Sequence, residues 1–257
     1  MNDTTAYAAR RRDFRALHQQ GCFLLPNPWD IGGAVRLERL GFKAIASSSS
    51  ACALTLGRDD YQITLAEALE HLRMLVGATA LPVNADFENG FATEPERVAD
   101  HVRAAIATGI AGVSIEDRDG DALFDTARAT LRVAAARQAI ADSGQDVLLV
   151  ARTEAFLEGQ TDPRPVIDRL LKFSAAGADC LYAPGVKDMN VIRDIVRAVA
   201  PKPVNVLLYG QQMKVSELAA AGVRRVSLGG ALAGAAWRAF DAAAKHFMEQ
   251  GTLLPKA

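Results

Sequence analysis

Residues 81–117 read LPVNADFENGFATEPERVADHVRAAIATGIAGVSIED, and this stretch indicates the fold of the chain. Two short apolar runs, LPVNADF and AGVSIED, have the length and composition of buried strands. In the segment between them, Val98, Val102 and Ile106 repeat at helical spacing and so share one face. Gly109 follows this segment and allows the left-handed turn that ends many helices. The stretch is therefore predicted to form a strand, a helix and a second strand parallel to the first.

The same alternation of apolar runs and amphipathic segments continues along the whole chain. The predicted strands are CFLLPN (22–27), KAIASSS (43–49), LPVNADF (81–87), AGVSIED (111–117), DVLLVART (146–153), ADCLYAP (178–184), KPVNVLL (202–208) and RRVSLGG (224–230). Eight such units in 257 residues favour an α/β fold, a (β/α)8 TIM barrel formed as a single domain by residues 1–257. A dinucleotide-binding sheet is disfavoured because no Gly-x-Gly-x-x-Gly motif follows the first strand.

The composition narrows the class of protein. The formal net charge is -1, so the chain offers no basic surface for nucleic acid or for an anionic membrane. No apolar run approaches the roughly 18–20 residues that a membrane-spanning helix needs. The N-terminal residues are basic in part but precede no apolar segment, which argues against a secretory signal. A cytoplasmic protein with a small-molecule ligand is expected.

Polar side chains follow most of the predicted strands, at the point where each strand ends. The active site of a TIM barrel lies at the carboxyl ends of its strands, so these residues are the candidates for a site. They are the serine run at 47–50, Asn84, Asp86, Glu88, Glu116, Asp117, Arg152, Thr153, Glu154, Tyr182, Asn205 and Ser227.

The acids of this set predict a metal site. Several carboxylates beside a serine run suit a hard divalent cation, which prefers oxygen ligands, better than a metal bound by thiolate or imidazole. Mg²⁺ is the expected cation, and Mn²⁺ is the alternative. Asp86 is the first candidate ligand because it follows its strand inward, and Glu116 is the second. The competing interpretation is that these acids only cap the following helices or face solvent.

The other candidates suit a carboxylate substrate. Arg152 offers a planar fork of donors for a substrate carboxylate or enolate oxygen, although it could instead pair with Glu116 or Glu154. The serine run could present backbone N–H groups to an anion, or could simply cap a helix. Tyr182, Glu154 or a bound water could carry a proton, and Tyr182 could equally serve only in packing. None of the lysines is predicted to lie at a strand end, which disfavours a Schiff-base mechanism.

Taken in order, seven segments resemble the isocitrate lyase and phosphoenolpyruvate mutase superfamily. They are NPWDIGGA (27–34), GFKAIASSSSACALTLGRDD (41–60), PVNADFENGF (82–91), GVSIEDRDG (112–120), ARTEAF (151–156), YAPGV (182–186) and PVNVL (203–207). The resemblance covers about residues 27–235 and implies a TIM barrel. It also implies an enzyme that binds Mg²⁺ and a 2-oxo acid or its enolate, and that cleaves or forms a C–C or P–C bond beside it.

The resemblance implies roles for individual residues at the metal. Asp86 matches the aspartate of the metal site on the third strand. Asp60 and Glu116 resemble the acids that surround the metal, and Asp117 does so as well. Asn84 stands where relatives often have an aspartate ligand, so this site would have one negative charge fewer, although the amide oxygen can still bind a cation.

The resemblance also implies how the substrate is held. Ser48 and Ser49 match the segment that holds the substrate carboxylate, and Arg152 matches the arginine that contacts substrate oxygens. Asn205 belongs to another matching segment and is expected to bind substrate. Arg152, Glu116 and Tyr182 are the candidate catalytic residues. Because relatives exchange their last helices between subunits, a swapped C-terminal helix and a homodimer or homotetramer are expected.

The loop after the fourth predicted strand departs from both kinds of relative. It reads RDGDALFDTARA (118–129) and lacks the Lys-Cys-Gly-His-like sequence of the lyases and the lysine and asparagine of the mutases. The expected activity is a Mg²⁺-dependent lyase that cleaves a C–C bond next to a 2-oxo or 2-hydroxy carboxylate through an enolate. Decarboxylation of an oxaloacetate-like acid fits best, because solvent can protonate the enolate. The alternatives are a P–C bond enzyme of the mutase type and a non-catalytic protein that binds 2-oxo acids.

Overall fold

The computed structural model describes residues 3–120 and 122–254. Its main sheet is built from β1 (Phe23–Leu25), β2 (Ile45–Ala46), β3 (Val83–Asp86), β4 (Gly112–Glu116), β7 (Leu148–Arg152), β8 (Cys180–Tyr182), β9 (Val204–Leu207) and β10 (Arg225–Ser227). These eight strands are parallel and lie in the order β1-β10-β9-β8-β7-β4-β3-β2. The N–H of Ala46 donates to the carbonyl of Pro26 over 3.0 Å, which brings β2 beside the chain that leaves β1. The sheet is therefore a nearly closed barrel, and the predicted (β/α)8 fold is confirmed.

Helices lie before, between and after the strands, and those between the strands cover the outside of the sheet. They are α1 (Asp3–Leu17), α2 (Ile31–Arg39), α3 (Ser49–Thr55), α4 (Leu65–Ala78), α5 (Pro95–Ala107), α6 (Thr126–Asp142), α7 (Pro163–Ala175), α8 (Met189–Val199), α9 (Val215–Ala220) and α10 (Ala231–Gln250). Their apolar faces and the outer face of the sheet form one large core, in which Val98, Val102 and Ile106 of α5 are buried as predicted. No described helix is both long enough and apolar enough to cross a bilayer.

A second, smaller core lies inside the barrel and is closed from below by α1. Phe14 of α1 is fully buried and packs with Leu25, Ala44, Ala111 and Leu148. Several of these residues stand at the start of a strand, so Phe14 plugs the amino-terminal end of the barrel. Hydrogen bonds from the Arg11 side chain to two carbonyl oxygens of the 106–110 segment hold the helix in this position. The opposite end of the barrel remains available for a site.

The loop after β4 folds as a short hairpin, formed by β5 (Arg118–Asp119) and β6 (Ala122–Leu123). The N–H of Phe124 returns to the carbonyl of Asp117 over 2.8 Å and closes the base of the hairpin. Because β4 runs toward the carboxyl end of the barrel, the hairpin stands at the mouth. This is the segment whose sequence departs from the lyase and mutase loops.

The last helix, α10, is mostly exposed. Phe240, Phe247 and Met248 are 62%, 63% and 78% accessible. Trp237 packs edge to face against Phe240, with ring centroids 5.8 Å apart. An amphipathic helix in a globular protein normally buries its apolar stripe, so this helix lacks a partner within the described chain.

Candidate active site

The register of three neighbouring strands places Glu116, Arg152 and Tyr182 side by side. Arg152 at the end of β7 is paired with Glu116 of β4 on one side and with Tyr182 of β8 on the other. All three are largely or fully buried, and the Arg152 guanidinium lies 5.4 Å from the centre of the Tyr182 ring. The three predicted catalytic residues are therefore brought together at the mouth of the barrel.

Arg152 contacts three carboxylates at the mouth of the barrel. Its guanidinium lies 3.3 Å from an oxygen of Asp86 and 3.3 Å from an oxygen of Glu116, and it makes a bidentate pair with Glu154. Burial opposes the charge of Arg152, but the carboxylates of Glu116, Glu154 and Asp86 outweigh burial and raise the pKa of Arg152. The arginine therefore stays positive, and the predicted alternative of an ion pair to Glu116 or Glu154 is present in the structure.

Asp86, the last residue of β3, is anchored by the serine run. The backbone N–H and the hydroxyl of Ser49 donate to the same Asp86 oxygen over 2.9 and 3.0 Å. The N–H of Asp86 donates to the hydroxyl of Ser47 over 2.8 Å. Ser48 is the N-cap of α3, and its hydroxyl accepts from the N–H of Ala51. The helix start expected to hold a substrate carboxylate thus holds a carboxylate of the protein itself in this state.

Two carboxylates of the mouth each keep one buried oxygen without a hydrogen-bond partner. They belong to Glu88, which is 5% exposed, and to Glu116, which is 4% exposed. Burial, followed by the charges of Asp86 and Asp60, raises the pKa of Glu88 to about 8. Burial also raises the pKa of Glu116, against the opposing effect of Arg152. Unpaired buried acceptors are costly, so each of these two oxygens would be stabilised by a bound cation or a donor.

Asp60 and Tyr61 reach the mouth from the loop between α3 and α4. Asp60 is at the exposed rim, and surrounding protein atoms together with the charge of Asp86 raise its pKa. The Tyr61 ring stacks under the Arg118 guanidinium at 4.6 Å. Burial and the negative charge of Glu116 raise the pKa of Tyr61. Tyr61 has a φ of 63°, a left-handed conformation that is rare for a bulky residue, and the sequence carries no signal for it.

Asp117 belongs to the walls of the site. One of its oxygens accepts from the N–H of Glu154 over 2.9 Å, and the other accepts from Arg169 over 3.0 Å. Burial raises the pKa of Asp117. The residue ties the end of β4 to the end of β7 and to α7, so it fixes the spacing of the mouth.

Asn84 and Asn205 lie deeper, inside the barrel, where both contact Arg225. The Arg225 guanidinium donates to the amide oxygen of Asn205 over 2.9 Å and to that of Asn84 over 3.2 Å. The Asn84 amide nitrogen donates to Ser114, and the Asn205 amide nitrogen donates to Ser227, each over 3.0 Å. Arg225 was missed by the sequence reasoning, although an arginine within the apolar run RRVSL is a visible signal for it.

A small cavity of about 40 Å³ connects these two layers. Its lining includes Asn27, Ser47, Asn84, Asp86, Ser114, Arg152, Tyr182, Arg225, Ser227 and Gly229. Six of the eight barrel strands contribute to this wall directly or through an adjacent residue; they are β2, β3, β4, β7, β8 and β10. The cavity therefore lies on the barrel axis, between the mouth and the Arg225 layer.

Comparisons with known proteins agree with this geometry. The sequence profile of the family described as phosphoenolpyruvate phosphomutase matches residues 14–248. The chain belongs to the phosphoenolpyruvate phosphomutase family. The assignment confirms the resemblance noted from the strand-end segments.

Relatives of this phosphoenolpyruvate phosphomutase family member include lyases and decarboxylases. An oxaloacetate decarboxylase of Chromohalobacter salexigens is 31% identical over 84% of this chain and 77% of its own length. The 2-methylisocitrate lyase of Escherichia coli is 29% identical over 72% of this chain and 67% of its own length. A proposed lyase/mutase of Burkholderia cenocepacia has a crystal structure that covers 96% of this chain and 91% of its own, with 42% identity and a TM-score of 0.94.

The acids at the mouth of this family member are the candidate ligands of a divalent metal. Among the described residues, no group of three or more His, Cys, Asp or Glu side chains is arranged to hold a metal directly. The unpaired oxygens of Glu88 and Glu116 nevertheless need a partner, and Asp86 stands at the same mouth. Mg²⁺ often takes only one or two carboxylates and keeps several waters, so this donor set fits it.

Proposed function

We propose that this chain is a Mg²⁺-dependent carbon–carbon lyase that acts on a small 2-oxo or 2-hydroxy carboxylate, with decarboxylation of an oxaloacetate-like acid as its reaction. The observation that carries the proposal is the buried Arg152 among Asp86, Glu116 and Glu154 at the carboxyl end of the barrel. A fixed cation at the mouth suits a reaction in which negative charge develops on a substrate oxygen. The oxaloacetate decarboxylase among the relatives supports the same reaction class.

One or two of the carboxylates of Asp86, Glu88 and Glu116 would bind Mg²⁺ directly and the others would bind its water ligands, with Asp60 at the rim. Mg²⁺, when bound, would act as a Lewis acid that offsets negative charge on the oxygens of the substrate. Asn84 would serve this site only indirectly, because its amide oxygen already accepts from Arg225. Glu88, two residues beyond Asp86, would supply the carboxylate that Asn84 does not, because a bound cation would favour the ionised form of this buried acid.

Arg152 would bind and orient the substrate. In the decarboxylation of a 2-oxo dicarboxylate, the bond to the departing carboxylate breaks and its electron pair passes into an enolate, while carbon dioxide leaves. The guanidinium donors of Arg152 are preorganised by three carboxylates, so they need little rearrangement as charge develops. A buried guanidinium of this kind contributes more than one exposed to water.

The carbon of the enolate then needs one proton. Burial raises the pKa of Tyr182, so its hydroxyl is protonated at neutral pH and can donate. Tyr182 lines the cavity beside Arg152, and its ring lies 5.4 Å from the guanidinium. We assign the proton to Tyr182 or to a water beside it, which accounts for a loop that lacks the lyase cysteine.

The test is turnover by the purified protein with Mg²⁺ and a panel of oxaloacetate, 2-methylisocitrate and phosphonopyruvate, with pyruvate, carbon dioxide and phosphoenolpyruvate measured. We expect pyruvate and carbon dioxide from oxaloacetate above the rate of Mg²⁺ alone, and loss of this rate in EDTA. Arg152→Gln should lose turnover, whereas Arg164→Gln, which removes an exposed arginine, should keep it. Phosphoenolpyruvate formation would instead support the P–C enzyme, and binding of the acids without turnover would support a non-catalytic binding protein.

A further inference from the structure

The barrel interior holds a buried positive charge that has no carboxylate of its own. Arg225 is 2% exposed, and within residues 3–120 and 122–254 no acid lies within ion-pair distance of it. Its guanidinium donates to the neutral amide oxygens of Asn205 and Asn84. Burial lowers the pKa of Arg225, but an arginine remains charged at neutral pH. A charge removed from water without a counter-ion is unfavourable, so the site gains from a bound anion.

The orientation of the two asparagines follows from the chemistry of arginine. A guanidinium has donors only, so each amide must turn its oxygen toward Arg225 and its NH₂ group away from it. The NH₂ groups of Asn84 and Asn205 donate upward to the hydroxyl oxygens of Ser114 and Ser227. Both serines line the cavity. The two amides thus connect Arg225 by hydrogen bonds to the two serines of the cavity wall.

These hydrogen bonds leave hydroxyl protons of the cavity wall available to a ligand. Ser114 accepts from Asn84, so its own O–H is free to donate into the cavity. Ser227 accepts from Asn205 and bonds to Tyr182, and this pair retains one O–H for a further acceptor. With Arg225 below and Arg152 above, the cavity is lined mainly by donors. The one carboxylate in its wall, Asp86, already accepts from Ser49 and Arg152.

The size of the cavity limits what it can take. Its volume of about 40 Å³ is several times the roughly 10–15 Å³ that one water molecule needs. That space suits a group of a few atoms, and it does not admit a whole di- or tricarboxylate. Gly112 leaves room for the Asn84 side chain, because a Cβ at position 112 would lie 2.6 Å from the Asn84 amide oxygen.

We propose that this cavity binds one carboxylate group of the substrate, with Arg225 as the cation beneath it and Ser114 and Tyr182 as donors around it. The substrate is then a small dicarboxylate that enters with one carboxylate toward the barrel interior and leaves the other at the mouth. This inference deepens the proposed function and rests on it for the identity of the ligand as a substrate. The anion site itself depends only on the geometry of the barrel interior.

The test is binding of malonate and of acetate, measured by titration calorimetry in EDTA at fixed ionic strength, so that neither turnover nor metal contributes. We expect malonate to bind more tightly than acetate. We also expect Arg225→Gln to weaken the binding of malonate by about 10- to 100-fold, the range of a hydrogen bond to a charged group. Arg224→Gln removes the same charge one residue earlier, outside the barrel interior, and should leave malonate binding unchanged. Ser114→Ala is a milder second variant, since Asn84 keeps its bond to the Ala85 carbonyl, and it should weaken malonate as well.

Unchanged malonate affinity in both Arg225→Gln and Ser114→Ala would overturn the inference and would show that Arg225 has only a structural role. Failure of the wild-type protein to bind malonate would overturn it as well. If malonate binds in an Arg225-dependent manner but no acid is turned over, the proposed function fails while the anion site stands. If oxaloacetate is turned over equally well by the Arg225→Gln and wild-type proteins, the proposed function stands and the anion site fails.

Discussion

The guanidinium of Arg152 lies 3.3 Å from the carboxylate of Asp86 at the mouth of the barrel. Asp86 ends β3 and Arg152 ends β7, so this pair joins two strands that are separated in the sheet by β4. The contact links the residue expected to approach the metal with the residue expected to approach the substrate. Changes at either residue should therefore affect ligand binding and catalysis together.

Replacement of Arg152 by lysine should lower kcat/KM for oxaloacetate by about 10²–10³-fold, the cost of removing one preorganised donor in an active site. Lysine keeps the charge but lacks the planar fork that contacts Asp86, Glu116 and Glu154 at once. Steady-state kinetics on the purified variant measure the effect. Arg164→Lys, at an exposed ion pair, is the control. A lysine variant with the wild-type kcat/KM would show that the fork is not used.

Asp86→Asn should abolish stabilisation by Mg²⁺. A cation at about 100 times its Kd adds roughly 2.7 kcal/mol to the free energy of unfolding, provided that it binds only the folded chain. Thermal unfolding with and without Mg²⁺ measures this shift without an activity assay. Asp59→Asn, an exposed neighbour of Asp60, is the matched control. Persistence of the full Mg²⁺ shift in Asp86→Asn would place the metal elsewhere.

Tyr182→Phe should lower kcat by about 10²–10⁴-fold with little change in KM, because it removes only the proposed proton donor. The phenyl ring keeps its place over Arg152. If Tyr182 serves only in packing, the variant should change stability and leave kcat intact. Tyr209→Phe removes a hydroxyl from a half-buried tyrosine that does not line the barrel-interior cavity, and it controls for the substitution.

His18 should make the protein sensitive to acid. Burial, followed by the charge of Arg225, lowers the pKa of His18 from 6.5 to about 3. The unfolded chain therefore binds this proton more readily, so the stabilisation is present above pH 6.5 and is lost as the pH falls toward 3. Between pH 7 and pH 4.5 the free energy of unfolding should fall by about 2 kcal/mol because of His18.

Urea unfolding of wild-type protein and His18→Phe at these two pH values tests the assignment. The phenyl ring can occupy the same apolar position, since the His18 ring already packs edge to face against Phe14 and Phe23. The variant should lose less stability at low pH than the wild type. His246→Phe, at a half-buried histidine of α10, should behave as the wild type does. Equal acid sensitivity of His18→Phe and wild type would contradict the assignment.

The exposed face of α10 should make the protein a homodimer or homotetramer. Phe240, Phe247 and Met248 present an apolar surface that a monomer in water would leave uncovered. Light scattering coupled to size exclusion should give an oligomer for the wild type and a monomer for Phe240→Glu combined with Phe247→Glu. Leu131→Glu, at an exposed leucine of α6, is the control. A monomeric wild-type protein would refute the prediction.

Much of the fold followed from local pattern. All eight predicted strands are present, each shorter than its apolar run because the ends of the run form loops. The role of α1 did not follow, because Phe14 reaches its place only when the strand starts surround it. The left-handed conformation of Tyr61 also left no trace in the sequence, because bulky residues rarely adopt it.

The sequence by itself determined the class of the fold, the strand ends that form the mouth, and the set of acids, serines and arginine placed there. Periodicity and strand-end composition are local properties, so they can be read without coordinates. Only the tertiary structure decided which residues touch. It placed Ser49 on Asp86, Arg152 among three carboxylates, and Asn84 on Arg225. These pairings depend on the register between strands that are distant in the chain, and that register is fixed by closure of the barrel.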